Sequence, residues 1–388
     1  MTDTTGSDAA ADAPLLRPDR GPSAKLDGVA ERVRSIMLGA AVGDAFATSS
    51  AAPPDGSGNG VAARSDPSAL RITADTQQAL YAMDGLLEAI EWSAQGEGAD
   101  ETACQWLAGL RWLRTQDVAW PQNAPSPLPR WLDHAEVLHA DHGEQGETLE
   151  ALCTGRMGEV ARPVLPLAED RGPVLRSIPF GLLPVGWRSM APLTIDAAAV
   201  THGQAEAQSA ATGTALALQA IVVAAGRGRA SPVAEGARAA LEVLGQLTRP
   251  AQRTRRLLEL ALESAGAQGA DRARPPAELG DGATASQTLA LGVWAAVVAE
   301  NEAARDDAGD AEDPERTGDR TRALRTAIRL CREAAGDRPR SPAALAAALT
   351  AASGGADALP QAWVERLDAG DLIQEACRRW NEGLGLSA

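Results

Sequence analysis

Apolar residues in this chain recur at spacings of three and four rather than at every second position. That periodicity predicts helices over 26–47, 73–94, 100–115, 192–226, 232–247, 251–264, 284–302, 318–335, 341–352 and 370–384. The alternating β-branched runs of half-buried strands are almost absent, so the pattern reads as all-α. Helix starts carry recognisable signals. Thr73 stands as an N-cap with Asp75 in the positive first turn behind it, and Thr201 with Gln204 reads as a capping box. Ser341 followed by Pro342 reads as an N-cap with proline at the first helical position.

The breaks between helices are rich in Gly, Pro and small polar residues. Mobile loops are expected at about 49–70, 266–285 and 303–320, and a proline-rich connection at 120–131. Residues 1–25, acidic and rich in small side chains, read as a disordered tail with neither the basic nor the apolar segment of a signal peptide. No internal repeat is visible, and the helices on both sides of every loop are of one type. The expectation is therefore a single helical domain over 26–384.

Composition narrows the functional classes. A chain of 388 residues that is 45% hydrophobic can bury a large core, and its formal net charge of −16 argues against nucleic acid and anionic membrane surfaces as partners. No apolar run is expected to cross a bilayer. The four cysteines, Cys104, Cys153, Cys331 and Cys377, are too scattered for a metal-ligand spacing and are expected as buried thiols of a cytoplasmic protein.

Candidate chemistry gathers at three junctions, each with a bland explanation beside it. In residues 39–53 ("GAAVGDAFATSSAAP"), Gly39 and Gly43 make a narrow helix face that ends at Asp44. Close helix packing accounts for the glycines, and local amide bonding for the aspartate. Thr73-Ala74-Asp75-Thr76 is explained as a helix cap. In "AAGDRPRSPAALAAALTAASGG" (334–355), Gly336 ends one helix and Ser341 opens the next, with Arg338 and Arg340 solvated. His202, behind Thr201, has a structural reading as its first explanation. His134, His139 and His142 show no metal pattern.

Taken together and in order, these segments resemble the ADP-ribosylglycohydrolase family, from about Glu31 to Trp380. "RSIMLGAAVGDAFA" is similar to the family's opening G-x-x-x-GDA-x-G helix, and "ITADTQQALYAMDGLLEA" to its I-TDDTQ-M helix. "GPVLRSIPFGLL" is similar to G-x-x-MR-x-x-P-x-GL, and "AAAVTHGQAEAQSAATGTALAL" to the THG/S helix. "AGDRPRSPAALAAALTAASGGADALPQAW" resembles GDTDT-x-AA-I-x-G-A-L-x-G with the L-P-x-x-W that follows. The resemblance implies a single-domain, orthogonal multi-helix fold whose cleft holds two Mg²⁺ or Mn²⁺ ions, binds an ADP-ribosyl group and hydrolyses its bond to a modified partner.

Position by position, the resemblance makes Thr73, Asp75 and Asp337 metal ligands, with Asp75 and Asp337 the catalytic carboxylates if the chain is active. It makes Asp44, Thr76, Arg176, His202 and Arg340 candidates for ligand contact. The chain also departs from the pattern. Ala74 stands where the first Asp belongs, Pro339 where the second does, and Arg340 replaces a ligand Thr; the family glutamate falls near Ala51, and Arg171 occupies an Asn position. Alanine and proline offer no hard oxygen, and Mg²⁺ affinity follows carboxylate count. The expectation is a family member with impaired two-metal hydrolysis that retains ADP-ribose or nucleotide binding. The alternatives are a hydrolase using one metal or none, with Asp44 assisting, and a scaffold with a closed cleft. Arg338 or Arg340, if turned inward, would pair with Asp75 and Asp337.

Overall fold

The computed structural model describes residues 13–23, 27–48, 69–139, 146–248, 251–267, 274–309, 320–336, 338 and 340–386. Residues 49–68 of the loop expected at about 49–70, with Ala51 among them, and His142, Asp337 and Pro339 lie outside these residues. Helices account for almost all the regular structure, in one domain, as the periodicity requires.

The helices are α1 (Val29–Thr48), α2 (Ala74–Ala94), α3 (Glu101–Leu113), α4 (Gly146–Cys153), α5 (Gly172–Arg176), α6 (Ile178–Gly181), α7 (Trp187–Ala199) and α8 (Ala205–Gly226). They continue as α9 (Pro232–Gln246), α10 (Gln252–Gly266), α11 (Ala285–Gly309), α12 (Arg322–Ala334), α13 (Arg340–Gly354), α14 (Gln361–Val364) and α15 (Gly370–Gly383). The helix expected over 192–226 is two, because the chain turns at Thr201-His202-Gly203. The short α4, α5 and α6 have no run long enough to show a period. In α5 and α6 a proline in the first turn, Pro173 and Pro179, disguises each helix as a loop.

Helix α8 is the hub. Apolar around most of its circumference, it is buried from Ala207 to Ala224 save Ser209, and it packs against α7, α9, α11 and α13. Its polar residues bond inward: the hydroxyls of Thr212 and Thr214 donate to the carbonyls of Gln208 and Ala210, and Gln219 Nε2 donates to Leu183 and Val185 carbonyls. This 22-residue helix is, contrary to the sequence expectation, apolar and long enough to span a bilayer, yet 83% of its most apolar window is buried within the fold. It is a core helix.

The pair that sets the candidate site is α1 against α13. A β-carbon on Gly39 would lie 2.7 Å from the Ala351 methyl, and one on Gly43 would lie 2.5 Å from the Ala343 carbonyl oxygen. Numbers rise along one helix as they fall along the other, so the two run antiparallel, at a separation only glycine and alanine allow. The C-terminal end of α1, with Asp44, thereby meets the N-terminal end of α13, with Ser341.

Other helix ends are closed from a distance. Glu300 of α11 accepts from the amides of Val233 (2.8 Å) and Ala234 (3.1 Å) at the start of α9. Glu206 of α8 does the same for Arg253 (3.1 Å) and Thr254 (2.8 Å) of α10. Between α2 and α3 lies a buried ion pair, Asp84 Oδ2 to Arg111 Nη2 at 2.6 Å, both side chains 1% exposed. Asp84 also accepts from Arg130 Nε and Trp131 Nε1, each at 2.8 Å.

Residues 13–23, expected within the tail, lie against the body: Leu16 is buried, and the amides of Trp187 and Arg188 donate to the carbonyls of Arg17 and Pro18. Helix α11 runs on to Gly309, into the acidic stretch expected as loop. Cys104, Cys331 and Cys377 are buried free thiols, whereas Cys153, expected to be buried, is exposed.

Candidate functional site

Thr73 caps α2 as expected, its Oγ1 accepting from the Asp75 amide at 3.2 Å. The hydroxyl hydrogen of the same side chain goes to Asp44 Oδ1 at 2.6 Å, and the Thr73 amide donates to Asp44 Oδ2 at 2.8 Å. Thr76 Oγ1 donates to Asp44 Oδ2 at 2.5 Å. Asp44, fully buried, is thus the anchor that fastens the first turn of α2 to the end of α1. Burial and the nearby Asp75 raise its pKa to about 6, against the lowering effect of the three hydrogen bonds.

The side chain of Ala74 is buried, so this position supplies a methyl group to the core and no ligand. Asp75 Oδ2 accepts from Ser341 Oγ of α13. That bond replaces the expected N-cap: α13 begins one residue earlier, at Arg340, and the Ser341 hydroxyl reaches across to α2.

Beside Asp75 opens a cavity of about 250 Å³, lined by Asp75, Gly146, Asp170, Arg171, Gly172, Ala283 and Arg338. Asp170, part of that lining, ends a buried polar relay. Asp170 Oδ1 accepts from the Gly172 amide and from His202 Nε2, both at 2.8 Å, and Oδ2 accepts from the Glu147 amide at 2.9 Å. These bonds, with His202 foremost, outweigh burial and hold Asp170 down at a pKa of about 2. Glu147 returns the arrangement, its Oε2 accepting from the Glu169 and Asp170 amides at 2.7 and 2.6 Å.

The tautomer of His202 follows from this. An ionised carboxylate only accepts, so Nε2 must carry the proton toward Asp170, and Nδ1 accepts from Thr201 Oγ1 at 2.7 Å. Arg176 Nη2 donates to the Thr201 oxygen at 2.5 Å and cannot accept, which leaves the Thr201 hydroxyl hydrogen for Nδ1. The order is Arg176, Thr201, His202, Asp170. Burial lowers the pKa of His202 and keeps the ring neutral at pH 7; burial likewise lowers Arg176, to about 10. The expected capping box at Thr201 and Gln204 is absent, since Thr201 serves this relay and Gln204 makes no side-chain cap.

Glu147, Asp170 and His202 place three ligand-type atoms within 4.8 Å of one another. As bonded, the histidine nitrogen nearest the carboxylates is protonated and the oxygens serve backbone amides, which is the pattern of a self-satisfied network. At the positions where the resemblance places metal ligands, Ala74 contributes a buried methyl and Thr73 turns its hydroxyl hydrogen to Asp44; among the described residues there, Asp75 is the acid that lines the cavity. These residues do not fit a complete two-ion ligand set.

Arg338 faces this cavity but pairs with Asp281, Nη1 to Oδ2 at 2.6 Å, rather than with Asp75, and its side chain is 54% exposed. Arg340 is half-buried at the head of α13 and does not line the cavity. Of the residues singled out from sequence, Asp44, Thr73, Asp75 and Thr76 come together, and Arg176 and His202 join the buried relay behind Asp170. Asp170 and Glu147 were missed. An aspartate two residues before Gly172, whose amide it accepts, is the available signal for an Asx turn. Glu147, flanked by glycine and threonine, carries no such mark.

Comparison with known proteins agrees with this architecture. A solved structure described as an ADP-ribosylglycohydrolase-related protein complex superposes with a TM-score of 0.50 at 21% identity, over 92% of this chain and 99% of that one. That likeness speaks to the fold alone. No curated protein matches the sequence. The profile of the ADP-ribosylglycohydrolase family matches residues 25–386. With nearly its whole length matched, the chain belongs to the ADP-ribosylglycohydrolase family.

Proposed function

We propose that this chain binds an ADP-ribosyl group in the cavity beside Asp75 and is impaired in the two-metal hydrolysis of its family. The observation that carries the reading is the buried methyl of Ala74 next to a Thr73 hydroxyl whose hydrogen is held by Asp44. Two hard cations held at a fixed separation need several carboxylates, and here the carboxylate turned to the cavity from this helix is Asp75. The open cavity of about 250 Å³ favours ligand binding over a scaffold with a closed cleft. Asp170, on the cavity lining and held from behind by His202, Thr201 and Arg176, supports the reading as a rigid polar group facing the ligand.

The family supplies the ligand class, an ADP-ribosylated protein or small molecule, and Mg²⁺ or Mn²⁺ as the ion its active members use. For this chain the ion is weakly held. The net charge of −16 and the free thiols support a cytoplasmic protein without nucleic-acid partners. The test is release of ADP-ribose from a modified arginine or serine peptide, assayed with Mn²⁺ and with EDTA. Turnover at background level, alongside calorimetric binding of ADP-ribose, supports the proposal. Metal-dependent turnover at ordinary enzymatic rates overturns it.

A further inference from the structure

We infer that the cavity beside Asp75 is an oxyanion site in which the Arg338 and Arg171 guanidinium groups hold phosphoryl oxygens without a metal ion. The inference rests on the ligand-binding reading above and goes beyond it in naming which atoms recognise which part of the ligand.

An account of donors and acceptors carries it. The residues lining the cavity include two acids, Asp75 and Asp170, and two arginines, Arg171 and Arg338. Asp170 accepts three hydrogen bonds, and Asp75 accepts from Ser341. Asp170 thus has most of its acceptor capacity spent on groups of the protein itself, and Asp75 part of its own. The arginines are in the opposite condition. Each guanidinium has five N–H donors. Arg338 uses one nitrogen, Nη1, on Asp281, and Arg171 makes no side-chain hydrogen bond or ion pair among the described residues. Among the described residues, the uncommitted donors at this cavity are N–H groups in planar forks, the geometry that pairs with two oxygens of a phosphate.

Asp281 acts as a placeholder. Its side chain is 49% exposed, and its Oδ2 accepts from Arg338 Nη1 alone at 2.6 Å, while its other oxygen accepts from the Ala283 amide at 3.1 Å. An arriving oxyanion competes with Asp281 for Arg338. Weakening Asp281 should then strengthen binding, which no merely structural role for the pair predicts. The shared chemistry, phosphoryl oxygen, occurs both in free pyrophosphate and in the diphosphate of an ADP-ribosyl group.

The experiment is calorimetric titration of inorganic pyrophosphate, and separately of ADP-ribose, into the full chain in EDTA. The proteins are wild type, Arg338→Gln, Arg171→Gln and Asp281→Asn, with thermal unfolding as the control for folding. Loss of one charged hydrogen-bonding group should weaken pyrophosphate binding roughly tenfold in each arginine variant, and Asp281→Asn should tighten it severalfold. Wild-type protein that fails to bind pyrophosphate in EDTA, binding that requires Mn²⁺, or arginine variants with wild-type affinity would each overturn the inference. The two readings separate cleanly. Arginine-dependent pyrophosphate binding without ADP-ribose binding sustains this inference and refutes the ADP-ribosyl reading, whereas ADP-ribose binding indifferent to both arginines does the reverse.

Discussion

Replacing Asp170 by asparagine removes one charge and turns one acceptor into a donor, at a position where three donors converge. Its pKa falls from 3.8 in the unfolded chain to about 2 in the fold, which corresponds to roughly 2 kcal/mol. Asparagine forfeits that term. Its amide nitrogen must also face the Glu147 amide, or the Gly172 amide and His202 Nε2, so a buried donor loses its acceptor at about 1–3 kcal/mol. The terms overlap, and the expected loss at pH 7 is roughly 2–4 kcal/mol.

The sign of the pH dependence is fixed by the depressed pKa. The stabilisation is full above the unfolded value of 3.8 and is lost as pH falls through about 2, so by about pH 3 close to half of it has gone. Urea unfolding followed by tryptophan fluorescence, for wild type and variant at pH 7, 5 and 3, measures the gap and its decline. Nitrogen NMR of His202 adds a local readout: the proton sits on Nε2 in wild type and shifts toward Nδ1 in Asp170→Asn. A variant within about 0.5 kcal/mol of wild type at pH 7, less than one ordinary hydrogen bond contributes, with its His202 proton still on Nε2, would refute the reasoning.

Further outcomes follow from the packing. Gly43→Ala forces a methyl to within 2.5 Å of the Ala343 carbonyl and should cost about 1–3 kcal/mol in urea unfolding, whereas Gly98→Ala, with nothing within 4 Å, should be nearly neutral. Asp84→Ala leaves Arg111 1% exposed and without its closest partner, for an expected loss of about 3–5 kcal/mol, nearer the lower figure because Glu88 remains at 2.9 Å. Burial raises Glu300 from 4.5 to about 6, so its contribution is full below 4.5 and declines as pH rises through 6. The stability of Glu300→Gln relative to wild type should therefore improve by about 2 kcal/mol between pH 4 and pH 7.5, as chemical denaturation at the two pH values would show.

Which parts of this molecule could be read in advance depends on how local their causes are. Long amphipathic helices such as α12 announce themselves, since Leu324, Ala327, Ile328 and Cys331 recur on the buried face. Gly39 and Gly43 were legible because a narrow helix face has one common use, and the close approach to α13 is that use. Thr73 and Asp75 cap α2 by rules confined to four residues. Reading failed where a distant group overrode the local rule. Thr201 has the form of a cap, but Arg176 and His202 take its hydroxyl; Ser341 has the form of a cap, but Asp75 takes it. The amides opening α9 and α10 are closed by Glu300 and Glu206, far away in sequence. No local pattern names such partners. The same limit hid Asp170, in an irregular segment, and Glu147, in the first turn of the short α4, whose meaning arises when the fold brings them to His202.

The central claim is that the cavity beside Asp75 receives an ADP-ribosyl ligand with no need for a metal ion. Calorimetric titration of ADP-ribose into the full chain, first in EDTA and then with Mn²⁺ in excess, tests it most directly. The account predicts saturable binding in EDTA with an affinity that Mn²⁺ leaves within about threefold, since no added ion stabilises a complex it does not enter. Binding that appears only when Mn²⁺ is present would contradict it.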